Sequence, residues 1–252
     1  TSWMTREGGE LARGVDIVVK GDLERYDARM GTAVTYGSRQ SSGQGMTLAR
    51  AMWAIVNLGI AQEISYCDGK YDLRTEDADE AAGNRWGRSG VPADLLAEIK
   101  GDRIATVVEI ASTAEAIDAL YGGAACGHGS TLTGTTRGEL ISGLQSIGGH
   151  AQALLGYDDT DEFREWYRET TGKPITGPVF INDQSWGPWN SFDISLWPSH
   201  IWGERPEGAW VLNERDMSRV ISQWGDCYAW SNVEGLVREG IPDWTEAFNT
   251  WA

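Results

Sequence analysis

A glycine- and serine-rich turn (Ser41, Ser42, Gly43, Gly45) runs straight into a mostly apolar stretch within residues 39–60, RQSSGQGMTLARAMWAIVNLGI. A helix opening from such a turn offers backbone amides and the positive end of its dipole, a place that favours a nucleophile or an anion. The residue at that place is Met46, and a thioether cannot act as a nucleophile. The other side chains with obvious chemistry are few: Cys67, Cys126 and Cys227, with His128, His150 and His200. Cys126-Gly-His128-Gly sets a thiol near an imidazole, but a zinc site needs three or four ligands, so no metal is expected there. Cys67, between Tyr66 and Asp68 in a loop pattern, has no helix start to lower its pKa. The acidic string Asp158-Asp-Thr-Asp-Glu162 lacks the glycine and terminal glutamate of a calcium loop, and reads instead as the cap of a following helix. Gly148-Gly149 is followed by no helix and is no phosphate cradle. No cofactor is expected.

These residues need elements to hold them. The helix after Met46 is expected to start near residues 45–47, to stop at Gly59, and, being apolar all round, to be buried between layers. Before it, residues 15–19 (VDIVV) read as a strand and residues 23–30 as a short helix. After it, residues 67–88 are acidic and dotted with glycine, with Glu76, Asp77, Asp79 and Glu80, and read as a solvated loop region. Pro92 opens a helix through Lys100, closed by Gly101. Residues 104–110 form a β-branched strand, and Ser112-Thr-Ala-Glu115 is a capping box for a helix ending at Gly122. Strands are then expected at 124–133, 149–157, 179–184, 208–213 and 226–230, with helices at 161–171 and 215–224. Helices crowd the first half and strands the second, an α+β pattern.

The whole chain sets outer bounds. It has 252 residues, 21 basic against 37 acidic, a net charge of −16 and a pI near 4.5. Such a surface repels nucleic acid and anionic membrane, which are excluded as direct partners. No apolar run approaches the ~20 residues of a membrane helix. The first residues lack the layout of a signal peptide, so the location expected is cytoplasmic or in a virion. Three cysteines make no disulfide framework, which points to a reducing compartment or to indifference to redox state. Thirteen tryptophans, concentrated from Trp186 onward, read as core and lobe interface, with a glycan cleft as the alternative.

Four segments in order resemble the papain-like cysteine peptidases. Asp27-Ala-Arg29, Ala33-Val-Thr35 and Gln40 are similar to that family's approach to its active site. Gly43 to Gly59 stands where the family has its cysteine and buried helix. Gly149-His-Ala151-Gln-Ala-Leu-Leu-Gly-Tyr157 is similar to the strand that carries the catalytic histidine. Val179-Phe-Ile-Asn-Asp-Gln-Ser-Trp-Gly187 is similar to the strand that supplies the orienting asparagine, and Gly208-Ala-Trp-Val-Leu fits the strand after it. The resemblance spans residues 26–213. It implies one domain over residues 1–252, with a helical lobe (about 26–110) whose buried central helix packs against an antiparallel β-barrel-like lobe (111–252).

The family's chemistry needs a thiolate at a helix start, an imidazole base, a side chain that orients the imidazole, and amide donors for the oxyanion. Carried over, the resemblance assigns Gln40 to the oxyanion position and His150 to the base. Gln184 takes the orienting position, with Asn182 two residues earlier, and Trp186 is the shielding indole. The nucleophile position falls on Met46; a slip of one residue gives Gly45 or Thr47, and none is a thiol. The resemblance therefore implies a pseudo-peptidase that has kept the fold and lost the thiol. Its expected role is a structural or binding module with a protein partner, in a phage virion or other assembly. The alternatives are an active hydrolase with Cys126 as a relocated nucleophile, and a tryptophan-rich glycan-binding or glycan-cutting protein.

Overall fold

The computed structural model describes residues 31–233, apart from 44, 102, 135–137, 185–193, 207 and 225. The strand expected at 15–19 and the helix expected at 23–30 lie outside the described residues. The chain divides into two compact units, one holding the residues up to Glu109, Tyr121–Ala125 and those from Tyr228 onward. The other holds Ile110–Leu120 and Cys126–Cys227.

The first unit is mainly helical. Helix α1 (Ala33–Gly37) has no side-chain cap at Thr32. Its start is held instead by Asp79, whose carboxylate accepts from Thr32 N at 2.6 Å, Thr32 Oγ1 at 2.7 Å and Ala33 N at 3.0 Å. Helix α2 (Leu48–Asn57) is capped by Thr47, whose hydroxyl accepts from Arg50 N at 3.2 Å. Its start matches the sequence reading, but its burial does not. Leu48, Ala51, Met52, Ala54 and Ile55 are buried, whereas Ala49 and Asn57 are exposed and Trp53 is 43% exposed. The expectation of a helix buried all round is corrected to an amphipathic one. Arg50, Trp53 and Asn57 are spaced by three and four residues and share a face. Arg50 lies 4.0 Å over the Trp53 ring and donates twice to Ser38 O, at 3.0 and 2.7 Å.

A short hairpin follows, β1 (Ser65–Tyr66) with β2 (Tyr71–Asp72). Next comes α3 (Glu76–Ser89), a 14-residue helix where a loop was expected. Thr75 caps it by accepting from Ala78 N at 3.3 Å, and Asp77 near the start suits the helix dipole. The acidic residues that suggested a solvated loop are thus the start of a helix, with Asp79 turned inward. Helix α4 (Ala93–Glu98) starts after Pro92 as expected. Ala33, Val34, Ala61, Leu73, Trp86, Leu95 and Ile99 form the core of this unit. Strand β3 (Ile104–Glu109) pairs antiparallel with β8 (Cys227–Val233), for example Thr106 opposite Ser231.

In the second unit the capping box forms: Ser112 Oγ accepts from Glu115 N at 3.2 Å, while the Glu115 carboxylate accepts from Ala111 N at 2.6 Å. It launches α5 (Thr113–Tyr121). Strands β4 (Ala125–Gly134), β5 (Leu144–Asp158), β6 (Val179–Asp183) and β7 (Trp210–Asn213) pair antiparallel in that order. Helix α6 (Asp161–Thr171) is capped by Thr160, which accepts from Phe163 N, and ends at the left-handed Gly172. The short α7 (Ser199–Trp202) and then α8 (Glu214–Trp224) complete the unit. Its core includes Leu140, Phe163, Tyr167, Val179, Trp197 and Val211.

The β-barrel-like lobe expected from the resemblance is not present. The sheet is open: β4 and β7 stand at opposite ends of the β4-β5-β6-β7 run and do not pair. The outer edge of β7 is met instead by Ile141, in an isolated parallel bridge to Val211, with Ser142 N donating to Val211 O at 2.8 Å. A four-residue edge strand covered by a loop has no edge left for closure. What stands is an α+β chain with an open antiparallel sheet.

Candidate functional site

The first unit holds Gln40 and Met46. Arg39 fixes the turn between them. Its Nη1 donates to Tyr36 O and Gly83 O, both at 2.8 Å, its Nε donates to Gly43 O at 3.0 Å, and the guanidinium lies 4.0 Å over the Tyr36 ring. Gln40 is exposed and left-handed, with φ of 55°, uncommon for a residue other than glycine. The turn continues through Gly45 (φ 83°), whose N–H donates to Tyr36 Oη at 3.1 Å. Met46 follows, half-buried, immediately ahead of the α2 cap Thr47. The thioether thus stands at a helix start, as the sequence placed it.

The second unit holds His150, Asn182, Gln184 and Cys126. Opposed residues in an antiparallel pair share a face. The pairs Cys126–Leu154, His128–Gln152, Ser130–His150 and Leu154–Asn182 therefore put Cys126, His128, Ser130, His150, Gln152 and Asn182 on one face of β4, β5 and β6. All but His150, which is half-buried, lie inside. Gln184, one residue beyond β6, is 2% exposed, and its carbonyl packs against Gly208, where a Cβ would meet it. Trp186, Asp27 and Arg29 lie outside the described residues.

Asn182 is joined to a histidine the sequence reading did not single out as its partner. His128 Nε2 and Asn182 Oδ1 are 2.9 Å apart, and Asn182 Nδ2 donates to Phe180 O at 3.1 Å. The pair spans 54 residues and could not be seen in spacing. The one available signal was alternation along β4, which sets Cys126, His128 and Ser130 on a common side.

Burial sets the electrostatics. The His128 imidazole is pushed down to about 4 by loss of water, against the opposing pull of its bond to Asn182. His150 is pushed down to about 4, chiefly by burial and in smaller part by His128. Burial raises the thiols: Cys227 to about 12 and Cys126 well above its ordinary value, the latter also through Cys227. Cys67 rises to about 11 through loss of water and then its bond to the Glu98 carboxylate. A thiolate–imidazolium pair needs these shifts reversed. Among the described residues no three His, Cys, Asp or Glu side chains gather as a metal site would need, and no helix is long and apolar enough to cross a membrane.

The chain matches no protein-family model and no curated protein. It is similar to the solved structure of xylellain, a cysteine protease from Xylella fastidiosa. The match covers 88% of this chain and 77% of that one, at 16% identity and a TM-score of 0.48. A likeness at that level defines neither the family nor the activity of this chain.

Proposed function

We propose that the chain is a papain-like domain without catalysis, a pseudo-peptidase that binds a protein partner or serves as a structural part of an assembly such as a phage virion. The reading rests on the order of the four resembling segments and on the missing thiol. The observation that carries it is the state of the sulfur and imidazole groups. The residue ahead of the α2 cap is a thioether, and each of the three thiols is held protonated while His128 and His150 are held neutral. Without an activated nucleophile, a base and an oxyanion donor keep only a small part of a peptidase's rate enhancement.

The same observation weighs against a relocated Cys126 nucleophile: the residue is 3% exposed, on a face shared with a neutral imidazole. Against a glycan cleft stands the burial of Trp86, Trp197, Trp210 and Trp230. The test is hydrolysis of peptide, ester and isopeptide substrates by the full chain and by His150→Ala. The expected outcome is no turnover that differs between the two proteins. Turnover that disappears with His150→Ala contradicts the proposal.

A further inference from the structure

The face shared by β4, β5 and β6 carries a buried group that the proposed function does not use. His128 is fully buried, and its bonding admits one arrangement of protons. Asn182 Nδ2 donates to Phe180 O, so Asn182 turns its carbonyl oxygen toward the ring. A carbonyl oxygen only accepts, so His128 Nε2 carries the hydrogen and, in the neutral ring, Nδ1 is a bare acceptor. Nδ1 is buried and has no hydrogen-bond partner.

We propose that His128 is an acid-sensitive latch of the second unit: proton uptake at Nδ1 sets an unmatched N–H and a positive charge between β4 and β6 and loosens the sheet there. Its neighbours are committed elsewhere. Gln152 accepts from Thr133 Oγ1 at 3.0 Å and donates to Leu132 O at 3.1 Å. The Ser130 hydroxyl donates to Gln223 of α8 at 2.7 Å and accepts from Leu132 N. The titratable groups on the same face are Cys126, a thiol held protonated, and His150, whose charge would repel a second one. Asp226 lies against Gly129 and Asp183 is opposite Ala153, so both carboxylates are on the other side of the sheet. Trp210, opposite Asn182 on β7, brings no acceptor.

The sign follows from linkage. The unfolded chain binds a proton at His128 below about pH 6.5, whereas the folded chain resists it down to about pH 4. The latch is therefore fully engaged above pH 6.5 and is lost as the pH falls from there toward 4.

The test compares urea unfolding of the full chain and of His128→Gln, whose amide can still donate to Asn182 but does not titrate. Between pH 7 and pH 5 the wild-type unfolding constant is expected to rise about twentyfold more than that of the variant. A second measurement uses ¹⁵N chemical shifts of the wild-type imidazoles at pH 5.5, where His128 is expected to be neutral with hydrogen on Nε2. Parallel losses in the two proteins, or an imidazolium at His128 at pH 5.5, overturns the proposal. The imidazole measurement needs no variant to fold.

Discussion

Asp79 keeps 2% of its surface in water and accepts three hydrogen bonds from the start of α1. Removing it strands two backbone donors, one buried (Ala33 N) and one half-buried (Thr32 N), so Asp79→Ala is expected to cost about 2–4 kcal/mol and Asp79→Asn clearly less. The midpoint of denaturant unfolding, at unchanged slope, is the measurement. The residue that decides the functional reading, Met46, was legible from sequence because a helix start and a glycine turn mark a place independently of what surrounds it. The partners of a buried polar group are not legible in that way. Asn182 and Gln184 were both named through the resemblance, but the bond from Asn182 to His128 depends on the register of three strands. Asp79 was read as one charge in a solvated run, since nothing in composition distinguishes an inward carboxylate from its outward neighbours.

At the scale of elements, capping signals were the most reliable guide. The box at Ser112–Glu115, the Pro92 helix and the α6 helix ending at Gly172 all form where their end residues require. Hydrophobic periodicity was less faithful. The α2 stretch counts as apolar by composition, yet the placing of Arg50, Trp53 and Asn57 gives it a solvent face. Helix α3 was missed because its buried side is mostly small or polar, with Asp79, Ala82, Gly83 and Gly87 beside a single large apolar residue, Trp86. That choice has a structural reason, since α1 packs closely on it. A Cβ at Gly83 would sit 3.2 Å from Ala33 Cα, and one at Gly37 would sit 2.8 Å from Trp86 Cβ. Gly83→Leu is therefore expected to push the helices apart and to cost about 1–3 kcal/mol, read as a lowered unfolding midpoint. The expected barrel came from the resemblance: apart from the β1–β2 hairpin the places of the described strands along the chain were legible, but their order in the sheet and the loop residue Ile141 at the β7 edge were not.

Across the whole molecule, each unit has its own apolar core, and none of the three cysteines forms a disulfide. With no disulfide present, stability rests on those cores and on buried polar pairs such as Asp79 with α1 and His128 with Asn182. The charge of −16 disfavours anionic surfaces as partners and makes association with a basic partner sensitive to salt. The functional proposal stands on the absence of an activated sulfur among the described residues. Alkylation of the native full chain by iodoacetamide at pH 5.5, resolved by cysteine with mass spectrometry, tests it most directly. Cys67, Cys126 and Cys227 are expected to react no faster than the same thiols in the unfolded chain. A cysteine that reacts faster in the native state would reveal a stabilised thiolate and contradict a non-catalytic reading.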